Sequence, residues 1–446
     1  MRRLLLALAA GCALVAPVTA QGPGALKIDG YTLPNGLKVL LAEDHTVQVV
    51  AVDVWYDVGA RNERAGRTGF AHLFEHMMFQ GSANVKKAEH GQFIERAGGV
   101  YNGSTQPDRT NYYQALPSNR INLALWLEAD RMRSLAITPE NLDNQRKAVQ
   151  EERRLRVDNQ PYSGAFIDSI PQLWDREACF AYSHSIIGSM DDLNAAKVED
   201  VKAFFDLYYA PSNATLVVAG DFDPIATKKM IADYFGAIPA GKPTPKVTCD
   251  QKMNTGAMRK PVADAKATLP AVLVAYRVPP VSSPDFPALE LLGRILGAGE
   301  SSRIKKALVR ESKVAADAQT LVNPFGPMRG AGLFGALAIA NQGASIDSVE
   351  RQLAAVMTQV GTTGVDAAEL AKAKNQFLAA KVNERQTPMA LAEAIHYANT
   401  YLGSPEAVNT DLARYDAVTL ADVQRVAKQY LRADNSLTLL IAPEKK

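Results

Sequence analysis

The chain has 446 residues, 47% of them hydrophobic and 22% charged, which excludes a disordered or collagen-like polymer and supplies enough apolar side chains for a sizeable core. At roughly 150 to 250 residues per domain, that length predicts two or three domains. A formal charge of +2, from 49 Lys+Arg against 47 Asp+Glu, gives no support to nucleic-acid or polyanion binding.

Residues 1–20 begin with Arg2 and Arg3, continue as an apolar stretch from Leu4 to about Val18, and end on the small residues Thr19 and Ala20 before Gln21. That grammar predicts a secretory signal peptide and an exported, periplasmic protein. A membrane helix is the alternative, but Gly11 and Pro17 interrupt the run, which falls short of the roughly 20 apolar residues that a span needs. Lipid attachment at Cys12 is a second alternative, on the lipobox-like Ala9-Ala10-Gly11-Cys12, although the usual Leu three residues before the cysteine is missing. The segment holds two bases and no acid, so a chain without it is balanced at 47 of each sign. No later stretch is long and apolar enough to span a bilayer.

The next informative segment is His72-Leu73-Phe74-Glu75-His76. On a helix, positions i and i+4 share a face, so both imidazoles can reach one ion, with Glu75 beside the same site. This is the inverted form, HxxEH, of the HExxH arrangement of zinc proteases. Two nitrogens and a carboxylate would hold zinc at about 2.0 to 2.1 Å and leave a fourth position for water. The bland reading is a packed helix whose histidines make ordinary hydrogen bonds. Against it, Gly69-Phe70-Ala71 and Met77-Met78-Phe79 make the surroundings apolar, where such groups are costly to bury without a partner.

Residues 98–101 and 110–115 read as a strand pair, to whose edge an extended peptide could add; for Tyr112 and Tyr113 plain sheet packing is the favoured reading. Helical patterns follow at 119–134 and 141–157. In the second, Leu142, Gln145, Val149, Glu152 and Arg156 form one stripe, and at 100° per residue Glu151 points about 200° from Val149. Helix phase therefore selects Glu152 over Glu151 as a third metal ligand, with a solvent-facing Glu–Arg pair as the alternative. Cys179 and Cys249 are 70 residues apart and in no metal-binding spacing; in an exported protein they read as one bridge or two buried thiols.

Ala195 to Gly220 and Ala417 to Ala442 repeat at an offset of 222: Ala195, Asp200, Val201, Tyr208 and Asn213 match Ala417, Asp422, Val423, Tyr430 and Asn435. Each segment reads as a helix ending near a tyrosine, a polar turn and an apolar strand. The same offset sets Val50 on Val272 and Val52 on Val274. Two similar domains follow, an N-terminal one over 21–240 and a C-terminal one over 263–446, joined by a Pro, Gly and Lys-rich linker at 241–262. The predicted fold class is α+β, each domain a mainly antiparallel sheet packed with helices. Further helical blocks lie at 287–312 and 345–360. Gly297-Ala298-Gly299 lacks the GK[ST] ending of a phosphate loop and reads as a helix start capped by Ser301 or Ser302.

The run Gly69 to Ser82 with its HxxEH core, Glu152 76 residues after His76, Leu33-Pro34-Asn35-Gly36-Leu37, Tyr101-Asn102-Gly103-Ser104-Thr105 and Tyr208-Tyr209-Ala210-Pro211-Ser212-Asn213-Ala214 together resemble the pitrilysin and mitochondrial-processing-peptidase family of zinc proteases. The resemblance covers nearly the whole chain after residue 20. It implies one Zn²⁺ on His72, His76 and Glu152, Glu75 as general base, and a peptide laid along the edge strand at Asn102 and Gly103. It also implies an Arg and a Tyr in the second domain that bind substrate. Arg303 supplies the first, but Val314-Ala315-Ala316-Asp317 stands where the tyrosine falls. Gln145 replaces an acidic residue common in the family one repeat before the third ligand. In split members one subunit carries the zinc motif and its partner the Arg/Tyr pair, so the resemblance implies a zinc endopeptidase acting as a heterodimer, with a homodimer, a non-catalytic scaffold or a zinc-dependent peptide-binding subunit as alternatives.

Overall fold

The computed structural model describes residues 25–251 and 256–444, so the predicted signal peptide and Cys12 lie outside the described residues. Six strands form the first sheet: β1 (Asp29–Thr32), β2 (Lys38–Glu43), β3 (Val49–Tyr56), β4 (Val100–Thr105), β5 (Thr110–Pro117) and β6 (Ala214–Gly220), in the order β1-β2-β6-β3-β5-β4. The second holds β7 (Met258–Asp264), β8 (Ala271–Val278), β9 (Ala315–Val322), β10 (Gly332–Ala340) and β11 (Ser436–Pro443), in the order β7-β11-β8-β10-β9. Each sheet has one parallel pair, β2 with β6 and β7 with β11, and is otherwise antiparallel. The central strands β3 and β8 are apolar almost without interruption because both of their faces are covered.

The repeat holds to the residue. Helix Val198–Tyr208 and helix Leu420–Tyr430 are 222 positions apart, as are β3 and β8 at their first residues, Val49 and Ala271. One face of the first sheet packs Val50, Val52, Val54 and Tyr56 against its own helices. The second sheet does the same with Val272, Val274, Tyr276 and Val278.

The opposite faces are covered by exchange. Helix Pro388–Tyr401, from the second half of the chain, lays Ala392 and Ile395 on Leu40, Ala42, Ala51, Val217 and Ala219 of the first sheet. Conversely, residues 165–182 of the first half, with Ile170, Leu173 and Trp174, cover Leu273, Ala275, Leu437 and Leu439 of the second sheet. Cys179 is bonded to Cys249, which ties this exchanged segment to the inter-domain stretch.

Local expectations are refined in three places. Strand β7 begins at Met258, inside the stretch read as linker, and pairs in parallel with β11. The block 287–312 is broken: helix Phe286–Gly297 ends where a Cβ on Gly297 would lie 2.4 Å from the Thr320 nitrogen, and Gly299 adopts φ +76° before helical backbone resumes at Arg303. Helix Pro139–Arg153 opens into a wider π-helical turn over Arg154–Asp158.

The exchange also buries a histidine between the halves. His396 stacks on Trp55, with ring centroids 4.7 Å apart and planes 3° from parallel, and its Nε2 lies 3.1 Å from the Asp53 carbonyl oxygen. Burial pushes its imidazole down from 6.5 to about 3. The unfolded chain takes up the proton near pH 6.5 and the folded chain only near 3, so the stability contributed is complete above 6.5 and is lost as pH falls through that window. The slope is at most about 1.4 kcal/mol per pH unit. His396→Phe keeps the stack and is expected to flatten the dependence of denaturant-measured stability on pH below about 6.5; an unchanged slope would assign acid sensitivity to other groups.

Candidate functional site

Helix Phe70–Met77 buries Phe70, Ala71, Leu73, Phe74 and Met77, which leaves His72, Glu75 and His76 together on the opposite side. Helix Pro139–Arg153 starts where the Thr138 hydroxyl accepts the Asn141 N–H, with Pro139 in its first turn. It buries Leu142, Gln145 and Val149, and the phase of that stripe carries Glu152 toward the two histidines. Glu152 Oε2 lies 3.5 Å from His72 Nε2 and 3.2 Å from His76 Nε2. The three donor atoms fall within 4.8 Å of one another, which makes them one set that a single cation could bridge. Glu151 turns away and pairs with Arg154.

Charge states suit such a role. Burial, with the neighbouring His76 adding to it, pushes the His72 imidazole down to about 4, so it is neutral with a lone pair to give. The hydrogen bond with His76 holds the Glu152 carboxyl below its ordinary value and keeps it anionic. Burial pulls His76 down, but its hydrogen bond with Glu152 and the charge of Glu75 leave it above its usual value; Gln145 also hydrogen-bonds it. Burial raises the Glu75 carboxyl, opposed first by the Thr105 hydroxyl, which donates to Glu75 Oε2 at 2.7 Å.

Strand β4 runs beside this helix as the sheet's edge, with one side unpaired. A Cβ on Gly103 would approach the Glu75 Cγ to 3.1 Å, so glycine there lets the strand pass close to the carboxylate. Asn102 is exposed and accepts the Gly103 N–H at 2.9 Å. Tyr112 is buried among Tyr56, Phe79 and Tyr209, a packing residue, whereas Tyr113 is only partly covered.

His72, Glu75, His76, Glu152, Asn102, Gly103 and Thr105 open on a cavity of about 1350 Å³ that lies between the halves. Its far wall is mostly apolar: Leu321 of β9, Leu337 and Ile339 of β10, Phe325 and Met328, flanked by Tyr162 and by Phe166 of the exchanged segment. Arg303 is not brought to this cavity; Glu369 holds its guanidinium bidentately, at 2.7 and 2.6 Å. Sequence reasoning passed over Thr105, although alternation along β4 sets Gly103 and Thr105 on one face, and that signal was available. It also missed the apolar wall, whose residues are distant in the chain from the HxxEH helix.

Two family models match, one described as Insulinase (Peptidase family M16) over residues 38–168 and one described as Peptidase M16 inactive domain over residues 195–377. The chain belongs to the M16 peptidase family. It is 28% identical to a Helicobacter pylori protein named zinc protease PqqE, over 94% of this chain and 93% of that one. It is 23% identical to a probable mitochondrial-processing peptidase subunit beta of Arabidopsis thaliana, over 90% of this chain and 75% of the other. A crystal structure of a protease from Helicobacter pylori superposes with a TM-score of 0.87 at 27% identity, over 94% of this chain and all of that one.

Within this M16 chain the two halves differ in chemistry. One repeat beyond His72, His76 and Glu152 stand Arg294, Ala298 and Lys374, and among the described residues the only candidate metal set is the one in the first half. No helix among the described residues is long and apolar enough to cross a membrane.

Proposed function

We propose that this chain is a zinc-dependent endopeptidase that cleaves extended or unfolded peptides. The observation that carries the reading is the convergence of His72 Nε2, His76 Nε2 and Glu152 Oε2 beside Glu75, on a cavity bordered by an unpaired strand edge. A zinc ion on those three residues would polarise the scissile carbonyl and make a water acidic enough to attack it. Glu75 accepts the proton of the attacking water and returns it to the leaving amine; the Thr105 hydroxyl fixes one carboxylate oxygen and leaves the other for that transfer. The substrate backbone adds to β4 at Asn102 and Gly103, a main-chain mode that tolerates many sequences. The cavity exceeds the roughly 300–1,000 Å³ of small-molecule sites, which favours a peptide.

The assembly belongs to the same proposal. Arg303 is engaged by Glu369, and Ala316 on β9 stands near where the family tyrosine falls, so a homologous subunit would supply the Arg/Tyr pair as a heterodimer. Export is consistent with the Cys179–Cys249 bridge, since disulfides persist in oxidising compartments. An unstructured fluorogenic peptide tests these points with the chain alone, with a homologous subunit, and after chelation and zinc return. Cleavage is expected to need zinc and the second subunit. Metal-independent cleavage would overturn the peptidase mechanism, and full activity of the chain alone would overturn the heterodimer.

A further inference from the structure

Helix Phe70–Met77 cannot cap itself. Its N-cap is Gly69, at φ +84° and without a side chain to accept the first-turn N–H groups that every helix leaves unpaired. The acceptor comes from outside the helix: Glu63 Oε2 takes the Gly69 N–H and Oε1 the Ala71 N–H, each at 2.8 Å. An anion at this end also meets the positive pole of the helix dipole.

The Glu63 side chain is completely buried, and its ion-pair partner is His184, whose Nε2 lies 3.1 Å from Oε2. The same Nε2 is 3.0 Å from the Ala60 carbonyl oxygen, and Nδ1 is 3.0 Å from the Phe180 carbonyl oxygen. Carbonyl oxygens only accept, so both ring nitrogens carry hydrogen and the ring is an imidazolium. Burial pulls the His184 imidazole down, yet the hydrogen bond and charge of Glu63 together with the two carbonyls leave it above its ordinary value.

Resting on the metallopeptidase reading, we propose that Glu63 and His184 are positioning residues for the metal site: a buried carboxylate–imidazolium strut that caps the HxxEH helix and fixes how His72, Glu75 and His76 face Glu152. The strut is long-range, because His184 belongs to the segment that lines the cavity and runs on from the exchanged cover of the second sheet. A second contact reinforces it three residues from the first ligand's neighbour Ala71: the Thr68 hydroxyl donates to Asp192 Oδ2 at 2.6 Å and accepts the Ser189 N–H at 3.0 Å. Neither Glu63 nor His184 touches a ligand imidazole, so both act through the orientation of the helix.

The test uses the full chain with Glu63→Gln, His184→Gln and the double variant, together with Ile395→Val as a destabilised control remote from the site. Zinc affinity by chelator competition and the visible spectrum of the Co²⁺-loaded protein are read beside kcat, KM and the melting temperature. Each single variant is expected to weaken zinc about tenfold or more and to alter the Co²⁺ spectrum, with kcat reduced and KM unchanged. The double variant is expected to be no worse than Glu63→Gln, since the pair acts as a unit. Ile395→Val is expected to melt earlier with wild-type zinc affinity. Wild-type affinity and spectrum in a folded Glu63→Gln or His184→Gln protein would overturn the strut, as would losses that simply multiply in the double variant. Should Glu63→Gln fail to fold, His184→Gln keeps the carboxylate and carries the same readouts. Failure of wild-type protein to bind zinc is a separate outcome and would overturn the metallopeptidase reading itself.

Discussion

Glu75→Gln is expected to lower kcat for peptide cleavage by about 10²- to 10⁴-fold while leaving bound zinc per chain unchanged. The amide has the size of the carboxylate and still accepts the Thr105 hydroxyl that now bonds Oε2, so the helix and β4 keep their spacing. What it loses is the basic oxygen: an amide takes no proton from water and has none to deliver to the departing amine. Because Glu75 is not one of the three donor atoms that converge within 4.8 Å, zinc analysis of the purified variant separates loss of chemistry from loss of metal. Cleavage persisting at the wild-type rate would remove Glu75 from the mechanism.

Glu152→Ala is expected to lose zinc and with it all measurable cleavage, whereas Glu151→Ala stays within about twofold of wild type. The two carboxylates are adjacent in sequence and both border the cavity, which makes the pair a sharp test of geometry. Glu152 Oε2 sits within 3.5 Å of both imidazoles, while Glu151 is held by Arg154. Removing Glu152 leaves two nitrogens and no anionic ligand, and the affinity lost should exceed the roughly 10- to 100-fold that outer-shell partners carry. It also releases Arg156, whose Nη1 now lies 2.8 Å from Glu152 Oε1, and an unpaired cation beside the site repels zinc further. Equal zinc loss in both variants would mean that the helix phase is misassigned.

These sites were legible in the sequence to different degrees, for physical reasons. The spacing of His72, Glu75 and His76 and the phase of Glu152 are properties of single helices, which helix periodicity encodes directly, and the 222-residue repeat shows as matched residues in two segments. Strand β7 hid as linker because it is a sheet edge: it alternates exposed and half-buried residues and carries Pro261, which only an edge tolerates. The strut from His184 to Glu63 spans 121 positions, and no local pattern announces a cap supplied from such a distance. Arg303 matched a family pattern, but only the fold reveals that Glu369 already occupies its guanidinium. The disulfide likewise depended on tertiary proximity that a 70-residue separation does not disclose.

The exchanged covers set the order in which the chain can mature during synthesis. Strand β6 completes the first sheet at Gly220, but the helix that seals its outer face begins at Pro388, 168 residues later. At about 5–20 residues per second a ribosome needs roughly 8–34 s to make that stretch, and throughout it Leu40, Ala42, Val217 and Ala219 lack their cover. The second sheet has the opposite timing, since its cover is made before any of its strands. The first sheet has no cover before Tyr401 and the second lacks β11 until Pro443, so both halves stay incompletely folded until the chain is nearly finished.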